Sequence, residues 1–439
     1  MHYEKFQDGT IKCIEDEIPF EVPEGWAWAR LRDICMMSAG KSKSTDQIKS
    51  EPFEGSYPCF GGNGVRGYVD EYNQDGIFSI VGRQGALCGN INIAIGKFYA
   101  TEHAVVTTLF DGIDFKWSNY ILEALRLNNY ATGAAQPGLS VANILNVFVP
   151  VPPTQEQDRI GNNVYESLKI VEALEQEKID LQKIIITAKT KILDLAIRGK
   201  LVPQDPNDEP ASVLLERIRT EKEELIKQGK IKRDKKESVI FKGDDNSYYL
   251  RTGRVEESLE DWRFDDLPET WKICCLGELC DYGDCINVNT EDIAEDAWIL
   301  DLEDIEKDTG TVLKKVTKDQ RNSVSTKHKF HSGQVLYSKL RPYLNKVVLS
   351  DADGYCTSEI LPLEFKNCVL PEYARYYLMS GTFIAYANHC SYGVKMPRLG
   401  TTDGKKANFS LPPLSEQKRI VETIDFCFVQ LNKISEALA

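Results

Sequence analysis

The sequence lacks any apolar run of the 18 or more residues that span a bilayer. Its first residues, MHYEKFQDGTIKC, also lack the basic and then apolar order of a signal peptide. We therefore expect a cytoplasmic chain. Cysteine is sparse, with 12 in 439 residues, and in a reducing compartment most of them are expected to be free thiols.

An excess of basic residues is missing too. The chain has 53 Lys and Arg against 67 Asp and Glu, a net charge of −14, which argues against indiscriminate nucleic-acid binding. The charge is uneven, however: residues 333–410 carry nine bases and six acids, whereas residues 281–331 carry twelve acids and seven bases. The average therefore leaves room for a local basic surface.

Several catalytic motifs are also missing. The sequence has no Gly-x-x-x-x-Gly-Lys-Ser/Thr phosphate loop, no Asn/Asp-Pro-Pro-Tyr/Phe element of amino-methyltransferases and no Gly-x-Ser-x-Gly elbow. Five histidines scattered over the chain nominate no general base. We expect no catalytic activity from this chain alone.

What the sequence does contain is a long internal repeat, and its length is enough for two to four domains. A Pro-Glu-x-Trp element occurs at Pro23–Trp26 and again at Pro268–Trp271, an offset of 245 residues. A second block recurs at an offset of 260 with nine identities in one gapless register. Its first copy has Gly133, Pro137, Leu139, Pro152, Pro153, Glu156, Gln157, Arg159 and Ile160. Between the two blocks the copies differ greatly, which indicates one scaffold with two different binding surfaces.

Each second block is followed by a helical pattern. Pro-Pro ends the preceding strand, and the run from Gln155 to about Arg198 has no proline. Its a and d positions are Ile160, Val164, Ser167, Val171, Leu174, Lys178, Leu181, Ile185, Ala188, Ile192 and Leu195, most of them apolar. A shift of 260 gives Ile420, Ile424, Cys427, Leu431, Ile434 and Leu438. We expect the two helices to pair antiparallel, with Ile160–Ile179 matched by the second helix and Ile185, Ile192 and Leu195 left bare.

These blocks resemble the specificity subunit of type I restriction-modification systems over nearly the whole chain. The segments at Gly82–Gly85 and Tyr337–Leu344 also look like parts of that family's recognition domains. The resemblance implies two target-recognition domains, each reading one half of a split, asymmetric DNA target, and a coiled coil that sets the spacer. It also implies docking of two methyltransferase subunits and further restriction subunits, with S-adenosylmethionine, ATP and Mg²⁺ in those partners and no cofactor in this chain.

The predicted architecture is of the α/β (α+β) class, with two tandem globular domains joined by long antiparallel coiled-coil helices in a pseudo-two-fold repeat. The first recognition domain is expected at 1–153 and the first helix at 154–199. A charged linker with a short helix is expected at 200–264. The second recognition domain is expected at 265–413, followed by a short second helix at 414–439.

Reading base edges needs side chains such as Arg, Lys, Gln and Asn, and holding the backbone needs positive charge. In the first domain these side chains lie among glycines, which let a backbone approach a ligand closely. The predicted DNA-binding residues are Asn63, Arg66, Arg83, Gln84 and Gln136 in the first domain, and Lys339, Arg341, Lys346, Lys395 and Arg398 in the second.

Two other functions stay open on the sequence. Asp351 or Asp353 with Glu364 and Lys366 has the residue types of a metal-dependent nuclease, in which carboxylates hold Mg²⁺. A coiled-coil scaffold for protein interactions would show the same helical pattern. No metal site is expected, because Cys35 and Cys280 occupy equivalent repeat positions, as core cysteines would.

Overall fold

The computed structural model describes residues 2–6, 8–133, 137–232, 237–245, 247–259, 267–321 and 324–438. By its internal contacts the chain divides into two units, Met1–Glu177 and Lys178–Ala439, here called the first and the second unit. Among the described residues, no helix combines the length and the apolar character needed to cross a membrane.

The first unit is built around one mixed sheet with strand order β4-β9-β7-β8-β5-β6. The interior strand β9 reads AVVTTL, and its first four residues are buried, as expected for an apolar strand flanked on both sides. The strands are β1 (Tyr3–Lys5), β2 (Ile11–Cys13), β3 (Ala27–Arg30), β4 (Cys35–Ala39), β5 (Tyr57–Gly61), β6 (Gly64–Val69), β7 (Gln74–Gly82), β8 (Ile91–Ala100), β9 (Ala104–Leu109) and β10 (Phe148–Val151). The helices are α1 (Leu31–Ile34), α2 (Phe115–Ala124), α3 (Val141–Ile144) and α4 (Thr154–Ile197), whose end belongs to the second unit.

The second unit has smaller sheets, of strand order β15-β18-β21-β16-β17, β20-β19-β22 and β11-β12-β13. Its strands are β11 (Ser238–Lys242), β12 (Tyr248–Thr252), β13 (Val255–Ser258), β14 (Lys272–Cys275), β15 (Ile286–Val288), β16 (Trp298–Leu300), β17 (Val316–Thr317), β18 (Lys327–Phe330), β19 (Val335–Ser338), β20 (Val347–Leu349), β21 (Gly354–Thr357), β22 (Ile360–Leu363) and β23 (Asn408–Leu411). Its helices are α5 (Ala211–Lys227), α6 (Leu276–Leu279), α7 (Pro371–Leu378), α8 (Gly381–His389), α9 (Thr401–Lys406) and α10 (Leu414–Ala437).

The repeat seen in the sequence is a repeat of structure. In the first unit β3 pairs with β10, and Arg30 lies opposite Phe148. In the second unit β14 pairs with β23, and Cys275 lies opposite Asn408, which is the same register after the shifts of 245 and 260. Each unit also has one parallel strand pair at the same place, β5 with β8 and β16 with β21. The predicted α/β (α+β) class and its internal repeat are confirmed.

A buried glutamine closes each unit at its second block. The side chain of Gln157 accepts from the backbone N–H of Asp114 at 2.8 Å and donates to the carbonyl oxygen of Pro152 at 2.9 Å. Gln417 accepts from the N–H of Leu370 at 2.8 Å and donates to the Pro412 carbonyl at 3.0 Å. Asp114 and Leu370 are the N-cap residues of α2 and α7. The glutamine therefore joins the Pro-Pro turn to a helix start whose N–H would otherwise lack a partner.

The two long helices pair antiparallel within the second unit. Glu416 at the start of α10 is bonded to Trp271 and Gln204, and Gly199, beyond the end of α4, packs on Trp271. Farther along, Lys189 of α4 donates to Asn432 of α10 at 2.6 Å. Gly199 has a φ of +66°, the left-handed conformation in which a glycine commonly ends a helix.

The predicted location of the bare seam is wrong. Ile185 is buried, and so are Leu193 and Ile197, whereas the earlier stretch of α4 has exposed apolar side chains, namely Leu168, Ile170, Val171, Leu174, Ile179 and Leu181. The repeat relates the two helices position by position, with Ile160 matched to Ile420. Antiparallel pairing instead lays α10 along the end of α4, which exposes the earlier part.

The segment predicted as a charged linker is more structured than expected. The short helix predicted within this segment is present as α5, and its residues Leu214 and Leu215 are buried in the core of the second unit. Strands β11, β12 and β13 then form an antiparallel sheet, with Ile240 and Leu250 packed against Ile273 and Cys275. Charged residues predominate in this segment, so its few apolar positions did not indicate a sheet. The domain limits predicted around residue 264 fall outside the described residues.

Candidate nucleic-acid interface

Three of the predicted residues of the first unit line one open pocket. Asn63 lies on the turn between β5 and β6, Arg66 lies within β6, and Gln84 follows β7. The pocket has a volume of about 520 Å³ and is lined by Gly61, Gly62, Asn63, Arg66, Gln84, Gly85, Ala86, Leu87 and His103. Sequence reasoning missed His103, which lies between β8 and β9. Three polar side chains and an imidazole thus share a concave surface.

Glycines bring the two pocket loops together. A Cβ at Gly82 would lie 2.0 Å from the carbonyl oxygen of Gly62, and a Cβ at Gly62 would lie 2.9 Å from the carbonyl oxygen of Gln84. Both distances are too short for any side chain. The glycine-rich sequence is therefore required for the close approach of the loops that carry Asn63 and Gln84.

The loop after β7 is held by the first copy of the second repeated block. The N–H of Leu139 donates to the carbonyl oxygen of Arg83 at 2.8 Å, and the N–H of Gly85 donates to that of Pro137 at 3.0 Å. Only main-chain atoms take part in these bonds, so the side chain of Arg83 stays exposed, and Gln84 is exposed as well. Gln136 lies outside the described residues.

The second unit repeats this arrangement atom for atom in the main chain. The N–H of Leu399 donates to the carbonyl oxygen of Lys339 at 3.0 Å, and the N–H of Arg341 donates to that of Pro397 at 2.7 Å. Lys339 is thus the counterpart of Arg83, an offset of 256. Arg341 takes the place of Gly85 and adopts a positive φ of +50°, where Gly85 has +97°. The same offset relates Tyr99 to Tyr355, so the sequence contained the signal for this match.

Three predicted residues of the second unit therefore lie on the joined loops, namely Lys339, Arg341 and Arg398, and Lys395 lies in the same return segment. Lys395 is exposed and Lys339 is half-buried. Arg398 contributes less free charge, because its guanidinium is paired with the carboxylate of Glu359, with Nη2 to Oε1 at 2.8 Å. That pairing raises the pKa of Arg398.

Lys346 is placed differently from the other candidates. Its Nζ donates to the carbonyl oxygen of Leu302 at 2.6 Å, and burial lowers the pKa of this lysine. The ammonium group is thus directed at a backbone oxygen of the same unit. Lys346 supports the fold around β16 and is the weakest of the predicted DNA contacts.

The residues of the nuclease alternative are engaged elsewhere. Asp351 forms an ion pair with Lys315 at 2.7 Å, and Glu364 pairs with His331 at 2.7 Å. Lys366 donates its Nζ to the carbonyl oxygen of Glu278 at 2.7 Å. Among the described residues, the only group of three or more His, Cys, Asp or Glu side chains whose ligand atoms lie close enough to share a metal ion is His2, Glu15 and Glu21. The structure therefore gives no support to a nuclease centre at Asp351, Asp353 and Glu364.

Cys35 and Cys280 make the same contact in the two units. The thiol of Cys35 donates to the carbonyl oxygen of Leu31 at 3.3 Å, and that of Cys280 donates to Leu276 at 3.5 Å. Burial raises the pKa of the Cys35 thiol to about 12. Both thiols lie in the hydrophobic cores of their units, in keeping with their interpretation as core residues.

Two copies of one scaffold, each with a loop assembly of different side chains, define a protein with two related recognition units. Comparison with known families gives the same result, because residues 23–188 and 268–437 match the type I restriction modification DNA specificity domain. The chain belongs to this family, and the resemblance stated from the sequence is confirmed.

Individual proteins similar to this chain are specificity subunits as well. The chain is 25% identical to the type I restriction enzyme EcoAI specificity subunit of Escherichia coli, with 98% of this chain and 82% of the relative covered. It is 45% identical to the EcoprrI specificity subunit of the same species over 151 residues, 34% of this chain and 36% of that subunit. A crystal structure of the HsdS subunit from Thermoanaerobacter tengcongensis is similar in fold, with a TM-score of 0.52, 15% identity and coverage of 96% and 93% of the two chains.

Proposed function

We propose that each unit of this DNA-specificity protein reads one half of a bipartite, asymmetric DNA target. The supporting observation is the pair of equivalent loops at Arg83 and Lys339, which share their main-chain bonds and differ in their side chains. A fixed backbone with exchangeable polar side chains is what base reading requires. In the first unit Asn63, Arg66 and Gln84 add to the reading surface. The domain limits predicted from the sequence are part of this proposal.

The partners follow from the family and from α4. The exposed apolar side chains between Leu168 and Leu181 form an apolar surface on α4, and exposed apolar surfaces of this kind commonly bind a protein partner. We propose that methyltransferase subunits, two per chain, dock on these helices, and that restriction subunits join that complex. The cofactors S-adenosylmethionine, ATP and Mg²⁺ belong to those partners. A pull-down on DNA with and without methyltransferase subunits tests this assignment, since a self-contained nuclease would need no partner.

The chain alone is expected to have no turnover on DNA. The sequence contains no phosphate loop and no methyltransferase element, so homogeneous protein should neither transfer methyl groups to DNA nor cleave it. The measurement is incubation with DNA, S-adenosylmethionine, ATP and Mg²⁺, with product assayed by tritium transfer and by gel. Methyl transfer should begin only when methyltransferase subunits are added. Turnover by the chain alone would contradict the proposal.

The length of α4 is expected to set the spacer between the half-sites. Seven residues inserted before Leu181 keep the heptad phase and add about 10.5 Å of helix. At about 3.4 Å per base pair, the preferred spacer should lengthen by about three base pairs if the helix runs along the duplex. Sequencing of methylated sites measures the spacer, and a four-residue insertion, which breaks the heptad phase, is the control. An active complex with an unchanged spacer would show that α4 does not determine it.

A further inference from the structure

Residues 392–398 of the second unit form a short hairpin, here called the second-unit hairpin. The N–H of Tyr392 donates to the carbonyl oxygen of Arg398 at 3.1 Å, and the N–H of Arg398 donates to that of Tyr392 at 3.0 Å. Gly393 has a φ of +97°, and a Cβ there would lie 3.1 Å from the carbonyl oxygen of Met396. The turn is therefore tight, and its backbone favours glycine at this position.

Bonds to two other elements hold this hairpin in place. On one side the N–H of Arg341 donates to the carbonyl oxygen of Pro397 at 2.7 Å. On the other side the hydroxyl of Ser391 donates to the carbonyl oxygen of Ala387 in α8 at 2.6 Å. The three residues at the far end, here called the tip, are Val394, Lys395 and Met396. The tip therefore projects from a support whose backbone is bonded on both sides.

The second-unit hairpin exposes several apolar side chains. Val394 is 102% exposed and Met396 is 48% exposed, and Tyr392 at the start of the hairpin is 62% exposed. Single exposed apolar side chains are common on folded proteins and carry no meaning by themselves. Three of them on one short, well-held hairpin form a projecting apolar surface, which is typical of an interaction site.

The charges around the tip favour nucleic acid over protein as its partner. Lys395 is exposed between the two apolar residues of the tip, and the hairpin is bonded to the loop that carries Lys339 and Arg341. Glu359, whose backbone is bonded to this loop, has its carboxylate paired with Arg398 at 2.8 Å, so it adds little free negative charge. A cationic surface of this kind suits a polyanion such as DNA.

The first unit has the same hairpin with a different tip. The N–H of Thr132 donates to the carbonyl oxygen of Gly138 at 2.9 Å, the N–H of Gly138 donates to that of Thr132 at 3.0 Å, and Gly133 has a φ of +95°. The tip positions in its sequence, which lie outside the described residues, are Ala134, Ala135 and Gln136. By residue type, therefore, only the second unit has large apolar side chains at the tip.

Resting on the proposed function, in which the second unit reads one half-site, we propose that its tip inserts Val394 and Met396 between two base pairs of that half-site. Lys395 then contacts an adjacent phosphate. Proteins that kink DNA use apolar side chains in this way, and the insertion partly unstacks one base step. Pyrimidine–purine steps unstack most readily, so this half-site should contain a TA or CA/TG step at the point of insertion. The small tip residues of the first unit predict no insertion in the other half-site.

The test uses the full chain in complex with methyltransferase subunits, on DNA whose half-sites are defined by sequencing methylated sites. 2-Aminopurine, whose fluorescence rises when it is unstacked, replaces each purine of the second unit's half-site in turn. The methylated base is left out, because methyltransferases turn their target base out of the helix. We expect the fluorescence to rise at one step when the complex binds.

The substituted chain carries Val394→Ser together with Met396→Ser. It should lose the fluorescence rise and bind the cognate DNA about tenfold more weakly, since inserted apolar side chains no longer leave water. Leu313→Ser, at an exposed position of the same unit outside the hairpin, should retain both the rise and the affinity. All three residues are exposed, so the circular dichroism of both variants should be unchanged.

Three outcomes would overturn the insertion. The first is the absence of any fluorescence rise in the wild-type complex while Arg83→Ala still relaxes the other half-site, which would leave the proposed function standing. The second is a rise that persists in the double variant, because other residues would then unstack the bases. The third is loss of assembly with methyltransferase subunits without DNA in the double variant, because the tip would then dock on protein. A wild-type complex that binds DNA without sequence preference would contradict the proposed function and the insertion together.

Discussion

Replacing Arg83 by alanine should relax recognition of one half of the DNA target and leave the other half unchanged. The reason is that the loop is held through the main-chain oxygen of Arg83, so the substitution removes only an exposed side chain. A bidentate arginine contact to guanine is worth about 1–3 kcal/mol of discrimination, roughly five- to 150-fold. The measurement is the sequence of methylated sites produced by the complex with methyltransferase subunits.

Lys339→Ala is the matched control for that experiment. Lys339 occupies the equivalent main-chain position in the second unit, so its loss should relax the opposite half-site. Together the two variants separate the readings of the two units. A uniform loss of affinity for every DNA sequence in Arg83→Ala would mean that Arg83 contacts phosphate, and relaxation of both half-sites together would contradict independent units.

Gln417→Leu should destabilise the second unit by about 3–5 kcal/mol, because each buried backbone group left without a partner costs about 1–3 kcal/mol. Gln417 has 0% exposure. Its amide donates to the carbonyl oxygens of Cys368 and Pro412, and its carbonyl accepts from Leu370. Leucine has a similar volume and replaces none of these bonds. Urea denaturation followed by circular dichroism measures the loss.

The first unit offers the comparison. Gln157 has one acceptor and one donor among the described residues, Pro152 and Asp114, so Gln157→Leu should cost less than Gln417→Leu. Gln155→Leu, at an exposed position two residues earlier, should change the unfolding free energy by less than about 0.5 kcal/mol. Equal effects of all three substitutions would show that the buried hydrogen bonds are not what these glutamines contribute.

The sequence predicted the features that depend on repeated side chains. The two blocks, the helix after Pro153 and the ending of that helix near Gly199 follow from identity, apolar spacing and turn chemistry. These signals lie in short segments of the sequence. They occur twice because both units use the same side chains for the same contacts. The family could be recognised for that reason.

The sequence did not predict features that depend on distant pairing. The heptad pattern of α4 does not indicate which stretch α10 covers, since the pattern is the same along the whole helix. The antiparallel pairing determines that Ile185 is buried and Leu174 is exposed. The strands between Ser238 and Ser258 were not predicted, because charged residues surround their few apolar positions. Arg83 and Lys339 are both predicted DNA-binding residues, and the main-chain bonds to Leu139 and Leu399 establish their equivalence, which the offset of 256 between Tyr99 and Tyr355 already indicated.

The pairing of β3 with β10 has a consequence for folding during synthesis. Arg30 of β3 lies opposite Phe148 of β10. Strand β3 therefore has no partner until the ribosome has added a further 118 residues. At a synthesis rate of about 5–20 residues per second, the wait is about 6–24 seconds. Contacts so distant along the chain slow folding, and an unpaired strand edge invites aggregation in the meantime. We therefore expect the ribosome-bound nascent chain to be a client of chaperones until Val151 has emerged.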